Sequence, residues 1–172
     1  MNKTIEKTWH DNGELASEIN CKDGEFHGLC KWYDENGMLR GETNYKAGER
    51  HGLCKQWHEN GKVESEINCK NGKFHGLCKR WDENGKLETE FNYKNGKLHG
   101  LFKRWHKNGK LDVEGNCKDG ERHGLCKWWY ENGNLKVKAH FKNGNPHRSH
   151  KWRHEDGTFD EKIKFKNGER KL

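Results

Sequence analysis

The stretch NGKFHGLCKRWDENGK, Asn71 to Lys86, decides the fold, because the chain writes it repeatedly with small changes. KAGERHGLCKQWHENGK ends at Lys62, and KNGKLHGLFKRWHKNGK ends at Lys110. The glycine of its closing N-G or D-G dipeptide recurs at Gly13, Gly37, Gly61, Gly85, Gly109, Gly133 and Gly157. A second glycine series runs from Gly24 through Gly48, Gly72, Gly96, Gly120 and Gly144 to Gly168. A third pairs with histidine, from His27-Gly28 to His123-Gly124, and fails at His147-Arg148. Self-similarity at a fixed short period is the mark of a repeat architecture. Residues 1–172 therefore read as one array of seven units, the last degenerate.

Each unit holds two runs of strand-like alternation between turn signals, such as GLCKRW (Gly76 to Trp81) and KLETEFNYK (Lys86 to Lys94). Asn-Gly and Asp-Gly supply the positive φ of a tight hairpin, and glycine this frequent is incompatible with long helices. The expected fold is all-β, a narrow antiparallel sheet of two strands per unit. At the usual strand spacing it would extend roughly 65 Å, with end strands open to edge-to-edge self-association. The segment Pro146 to His150 is read as irregular, blunting one edge.

In the second run Leu87, Thr89, Phe91 and Tyr93 share one face, and Leu15, Ser17, Ile19 and Cys21 repeat the pattern. That face is the candidate core. The first run admits two registers. A three-residue loop with a glycine bulge sets Trp81 opposite Leu87 and Leu77 opposite Phe91. A two-residue turn sets Lys79 opposite Glu90, repeated as Lys31 with Glu42 and Lys55 with Glu66. The first is preferred, because burying Trp and Leu outweighs an exposed ion pair worth under about 1 kcal/mol.

Tyr93 to Trp105, YKNGKLHGLFKRW, resembles the core of the MORN repeat, and more closely the MORN-variant repeats of bacterial YwqK-type antitoxins. The resemblance implies an elongated, twisted single sheet and a binding role, as an antitoxin or immunity protein covering a protein partner. For some members it also implies association with phosphoinositide membranes.

Composition fits a thin fold. Only 29% of residues are hydrophobic and 35% are charged, yet 8 Trp, 7 Phe and 4 Tyr recur at fixed intervals. No apolar run has the length of a membrane helix, and MNKTIEKTWHDNG lacks a secretory stretch, so a cytoplasmic address is expected. Seven Cys without a CxxC spacing argue against a zinc site and are expected to stay thiols, with Cys21 and Cys30, Cys69 and Cys78, and Cys117 and Cys126 as cross-strand neighbours.

The regular features are the weakest candidates for chemistry, since a catalytic site needs asymmetry. The histidine series reads as turn residues bonding their own backbone, and Glu18, Glu42, Glu66, Glu90 and Glu114 as a surface ladder. Trp9, Tyr33, Trp57, Trp81, Trp105 and Trp129 read as the spine of the sheet. No catalytic residue, metal site or cofactor is expected. Trp32, Trp128 and Trp152 stand where other units have Thr8, Gln56, Arg80 or Arg104. That variation makes them the candidates for contacting a protein partner.

Charge is also asymmetric. Residues 1–86 hold 14 Lys/Arg and 15 Asp/Glu, a balance of −1, and residues 87–172 hold 20 and 12, a balance of +8. No acid stands between Glu131 and Glu155, and the Glu ladder turns to Lys138 and Lys162. Lys136, Lys138, Lys142, Arg148, Lys151 and Arg153 are the candidate site for an acidic lipid or other polyanion. In the preferred register Lys151 and Arg153 lean to the apolar side. A protein-binding module, a polyanion-binding module and a structural scaffold are the three functions in play.

Overall fold

The computed structural model describes residues 2–166 and 168–171. The protein is all-β. Its strands are β1 (Lys3–Trp9), β2 (Leu15–Lys22), β3 (Glu25–Phe26), β4 (Gly28–Tyr33), β5 (Leu39–Lys46), β6 (Glu49–Trp57), β7 (Val63–Lys70) and β8 (Lys73–Trp81), then β9 (Leu87–Lys94), β10 (Lys97–Trp105), β11 (Leu111–Lys118), β12 (Glu121–Arg122), β13 (Gly124–Trp129), β14 (Leu135–Lys142), β15 (Asn145–Arg153), β16 (Phe159–Lys166) and β17 (Glu169–Lys171). They fall into two compact units, Met1–Lys86 and Leu87–Leu172. Within each unit strands adjacent in sequence pair antiparallel, as an open sheet of repeated hairpins.

Two turn types alternate. The Asp23-Gly24 and Asn143-Gly144 turns have both central residues at positive φ (52° and 84°, 50° and 76°), the twist that matches a two-residue hairpin. The other turn is the expected three-residue loop with a glycine bulge. Gly37 at φ 74° donates to Asp34 O at 2.9 Å, and Asp34 N donates to Met38 O at 2.9 Å. Asp34 Oδ1 caps this turn, accepting from Asn36 N (2.9 Å) and Met38 N (3.0 Å). Asn60 Oδ1 accepts from Lys62 N at 3.0 Å, while its Nδ2 donates to Glu83 O, 2.6 Å away in the next turn. Each repeat thus ties its turn to the following one.

The preferred register holds for one pair only. Tyr33 faces Leu39 and Trp57 faces Val63, as it requires, but a bulge at Arg40 or Glu64 then shifts the ladder. Beyond the bulge Lys31 faces Glu42 and Lys55 faces Glu66, the pairs of the alternative. One extra residue lets the chain keep both the aromatic end pair and the ion pairs.

That bulge changes which side chains share the core. Cys30 now faces Thr43 and Trp32 faces Gly41, on the apolar side with Ile19, Cys21 and Tyr45. Tyr33 and Trp57 alternate away from it, beside Lys31 and Lys55, and Trp9 is 60% exposed. The aromatic stripe from Trp9 to Trp129 is therefore not the spine. In the first unit Ile19, Cys21 and Cys30 with Trp32 and Tyr45 form the core; in the second, Phe102, Val113, Cys117 and Cys126 with Phe91, Leu98, Trp128 and Phe141.

All seven cysteines are free and buried. Burial pushes the Cys30, Cys78, Cys117 and Cys126 thiols up, and desolvation with hydrogen bonding to Cys54 pushes Cys69 up to about 12. Cys54, outside the three expected pairs, is thus a neighbour of Cys69. The thiols act as small apolar groups in a thin core.

A second irregularity sits at each His-Gly dipeptide. Between the Tyr45–Arg50 and Thr43–Cys54 pairs, β6 carries two extra residues, with Gly52 at φ 93°. The second-run asparagine fills this bulge: Asn44 Nδ2 donates to Leu53 O at 2.8 Å, and Asn68 Nδ2 to Leu77 O at 2.7 Å. The histidines do not bond their own backbone. His27 Nδ1 accepts from Ala47 N and His99 Nδ1 from Asp119 N, each at 3.5 Å, in the turn one repeat on. Nδ1 of His51, His75 and His123 is buried without a hydrogen-bond partner among the described residues.

Candidate functional site

The second unit departs from regularity where its apolar face opens into a groove of about 690 Å³. Register builds its floor: Val113 faces Trp128, Trp128 faces Val137, and Val137 faces Trp152. Trp128 and Trp152 therefore lie in one row with a valine between them. Phe141 meets Trp128 edge-on at 6.1 Å, and His150 lies 5.2 Å from Phe141 and 5.7 Å from Trp152. A neighbouring hollow of about 280 Å³ shares Arg104, Arg122 and Trp128 with the groove, so the open apolar surface continues toward Phe102.

The rim carries charges of both signs, Arg104, Asp112, Arg122, Glu131, Lys136 and Glu155, together with His106. Arg104 Nε donates to Asp112 Oδ2 at 2.6 Å, and His106 Nε2 lies 3.0 Å from Trp129 O. Arg122 differs. Its guanidinium lies 5.3 Å from the Trp128 ring and 5.7 Å from the Phe141 ring, and no carboxylate among the described residues pairs with it. A cation over two rings with its forked donors free suits an incoming carboxylate.

The three predicted partner-contacting tryptophans all lie half-buried on the apolar side. Trp32 is in the first unit's core cluster, lying over Gly41 and edge-on to Tyr45 at 6.3 Å. Trp128 and Trp152 are brought together, on the apolar face, only half-buried. Both line the groove and neither stands on a solvated face.

The six predicted cationic residues are divided. Lys138 faces Lys151 directly, so Lys151 lies on the polar side and not the apolar one. Lys136 is the bulge residue between the Trp129–Leu135 and Trp128–Val137 pairs, which turns it to the groove, 5.0 Å from the Tyr130 ring. Lys142 stands at the far end of β14 opposite Asn145. Arg148 is within β15 at φ 60°, opposite Phe165, so the segment Pro146 to His150 is a paired strand and not a blunted edge. Arg153 donates to Gly157 O at 3.0 Å, in its own turn. The residues missed were Arg122 and Lys127, which become visible only once the register is known; Lys162, already marked by its departure from the Glu ladder, joins Lys151 through the same register.

His150 is a buried departure from the repeat. It stands where other units place Cys30, Cys54, Cys78, Phe102 and Cys126, and its Nε2–H donates to His140 O at 2.8 Å, as Cys30 Sγ–H donates to Asn20 O at 3.7 Å. Burial lowers its pKa below the ordinary histidine value. Among the described residues no group of three or more His, Cys, Asp or Glu is placed to hold a metal. Nor is any helix among the described residues long and apolar enough to cross a membrane.

The model of the MORN repeat variant matches residues 4–23, 26–47, 50–71, 74–95, 98–119 and 122–143. The chain belongs to the MORN repeat variant family. The six matches step by one repeat and end where β14 gives way to the degenerate seventh unit, whose hairpin β15–β16 continues the same pairing. MORN repeats are in general binding or scaffold modules and are typically non-catalytic. No curated protein matches the chain.

Proposed function

We propose that this MORN repeat variant protein binds a protein partner without catalysing a reaction, as an antitoxin or immunity-type protein covering the surface of its target. The observation that carries the reading is the groove of the second unit. Trp128, Val137 and Trp152 offer an aromatic floor held by backbone register, with Arg122 poised above it. Half-buried tryptophans with an arginine beside them are the composition of binding hot spots. The occupant is an extended protein segment carrying an apolar side chain next to an acidic one, for the floor and for Arg122 respectively. The proposed setting is a reducing compartment, the cytoplasm, a reading that the seven free thiols support.

The test is affinity capture from the native host with tagged wild-type protein, Trp128→Ala and Arg122→Gln, the bound protein being identified by mass spectrometry and its affinity then measured with purified components. A loss of affinity of tenfold or more in both variants, with unchanged circular dichroism, is the expected result. Equal affinity of wild type and both variants overturns the assignment of the groove.

A further inference from the structure

On the polar side of the sheet one row of paired positions crosses every repeat. In the first unit it reads Lys7, Glu18, Lys31, Glu42, Lys55, Glu66, with opposite charges facing at each step. Lys55 Nζ lies 2.9 Å from Glu66 Oε1. In the second unit the row begins the same way, with Lys103 facing Glu114 and Lys127 Nζ 3.0 Å from Glu114 Oε1. Then the alternation stops. Lys127 faces Lys138, Lys138 faces Lys151, and Lys151 faces Lys162.

Four lysines thus stand side by side on β13, β14, β15 and β16, and no ion pair among the described residues reaches Lys138, Lys151 or Lys162. Like charges set directly opposite one another destabilise a sheet. The other repeats show how the conflict is avoided, with glutamate at the position of Lys138. Lysine also faces lysine in single pairs near the strand ends, at Lys3–Lys22, Lys70–Lys73, Lys94–Lys97 and Lys164–Lys171. Among the described residues, however, only this row sets like charges opposite one another across four successive strands, and a local rule broken so persistently points to a functional surface.

We propose that Lys127, Lys138, Lys151 and Lys162 bind a linear chain of phosphates laid across the strands. The positive charge is unbroken along the row, each of its lysines facing the next. On one side the row is flanked by Leu125 opposite His140 and by Ser149 opposite Lys164, on the other by Trp129 opposite Leu135 and by Arg153 opposite Phe159. At about 4.8 Å per strand the file spans about 14 Å, a span that a flexible chain of phosphates follows with one charge at each lysine. With a single tryptophan beside the file there is no stacking platform for successive bases. Recognition is therefore of the phosphate chain itself, independent of base sequence. This surface is separate from the groove, so its test stands or falls apart from the proposed protein partner.

The experiment measures fluorescence anisotropy of a labelled single-stranded oligothymidylate at increasing salt, with inorganic polyphosphate as competitor. Wild-type protein is expected to bind at low salt with log K against log[salt] sloping near −2.8, about −0.7 for each of four neutralised phosphates. The variant Lys138→Gln/Lys151→Gln should bind at least tenfold more weakly and halve that slope. Lys3→Gln/Lys46→Gln, which removes two charges from the first unit, should leave both unchanged. Displacement by polyphosphate would assign the site to phosphate chains in general, and failure to displace would narrow it to nucleic acid; either outcome keeps the file as the site. Absence of binding at low salt, an unchanged slope in Lys138→Gln/Lys151→Gln, or retention on phosphatidylserine vesicles without oligonucleotide binding would overturn it.

Discussion

Replacing Gly115 with valine is expected to lower the thermal midpoint by roughly 5–10 °C, the equivalent of about 2–3 kcal/mol. A Cβ at this glycine would stand 2.5 Å from Cys126 Sγ and 2.9 Å from the Phe102 ring, in a core with no slack. Its φ is not positive, so the cost is steric. The reason lies across the strand, where Phe102 faces Gly115. Two repeats earlier the equivalent pair is Cys54 facing Ile67, a small residue against a large one in the opposite arrangement. Phe102 fills with its ring the space that Ile67 fills from the neighbouring strand. The double variant Phe102→Cys/Gly115→Ile, which copies the Cys54–Ile67 pair, should therefore recover much of the stability that either change alone removes. Differential scanning calorimetry of the four proteins gives the coupling, expected at about 1–3 kcal/mol. Additive losses would mean that the ring and the glycine are not partners.

The second large effect is on acid stability. His150 is 5% exposed, packed on Phe165 at 4.6 Å, with Phe141, Trp152 and the neighbouring His140 around it. Desolvation lowers its pKa in the folded protein, so the unfolded chain takes up the proton first as pH falls. The stabilisation from keeping this imidazole neutral is present above the unfolded value of about 6.5 and is lost progressively as pH falls through the folded value. Thermal midpoints from pH 8 to pH 5 are expected to fall in wild-type protein. In His150→Cys, which restores the thiol of the other repeats, the part of that fall belonging to His150 should vanish. Parallel pH profiles for the two proteins would show that His150 does not titrate with unfolding.

Much of this fold is legible in the sequence because glycine cannot be disguised. Gly85, expected at positive φ, is found at 83°, and Gly13, Gly61 and Gly109 repeat it at 87°, 80° and 84°. The alternation of Ser17, Ile19 and Cys21 named one buried face correctly, since all three are buried. What the pattern does not show is a bulge. Arg40 and Glu64 look like ordinary outward residues, and the extra position they occupy has no residue preference strong enough to announce it. Missing it exchanged the two faces of each first strand, which hid the row of Trp128 and Trp152 and placed Lys151 wrongly. The site needed a second kind of information too. Lys138 and Lys162 are conspicuous as departures from glutamate, but their alignment with Lys127 and Lys151 is a fact of pairing. Phe102 and Gly115 become a pair only when the chain is compared with itself two repeats apart.

Hydroxyl-radical footprinting of the complex with the captured protein tests most directly whether the groove of the second unit is the contact surface. Trp128 and Trp152 should lose reactivity on complex formation, while Trp9 and Phe159, 60% and 57% exposed, should keep theirs. Protection of Trp9 or Phe159 with Trp128 and Trp152 unchanged would contradict it.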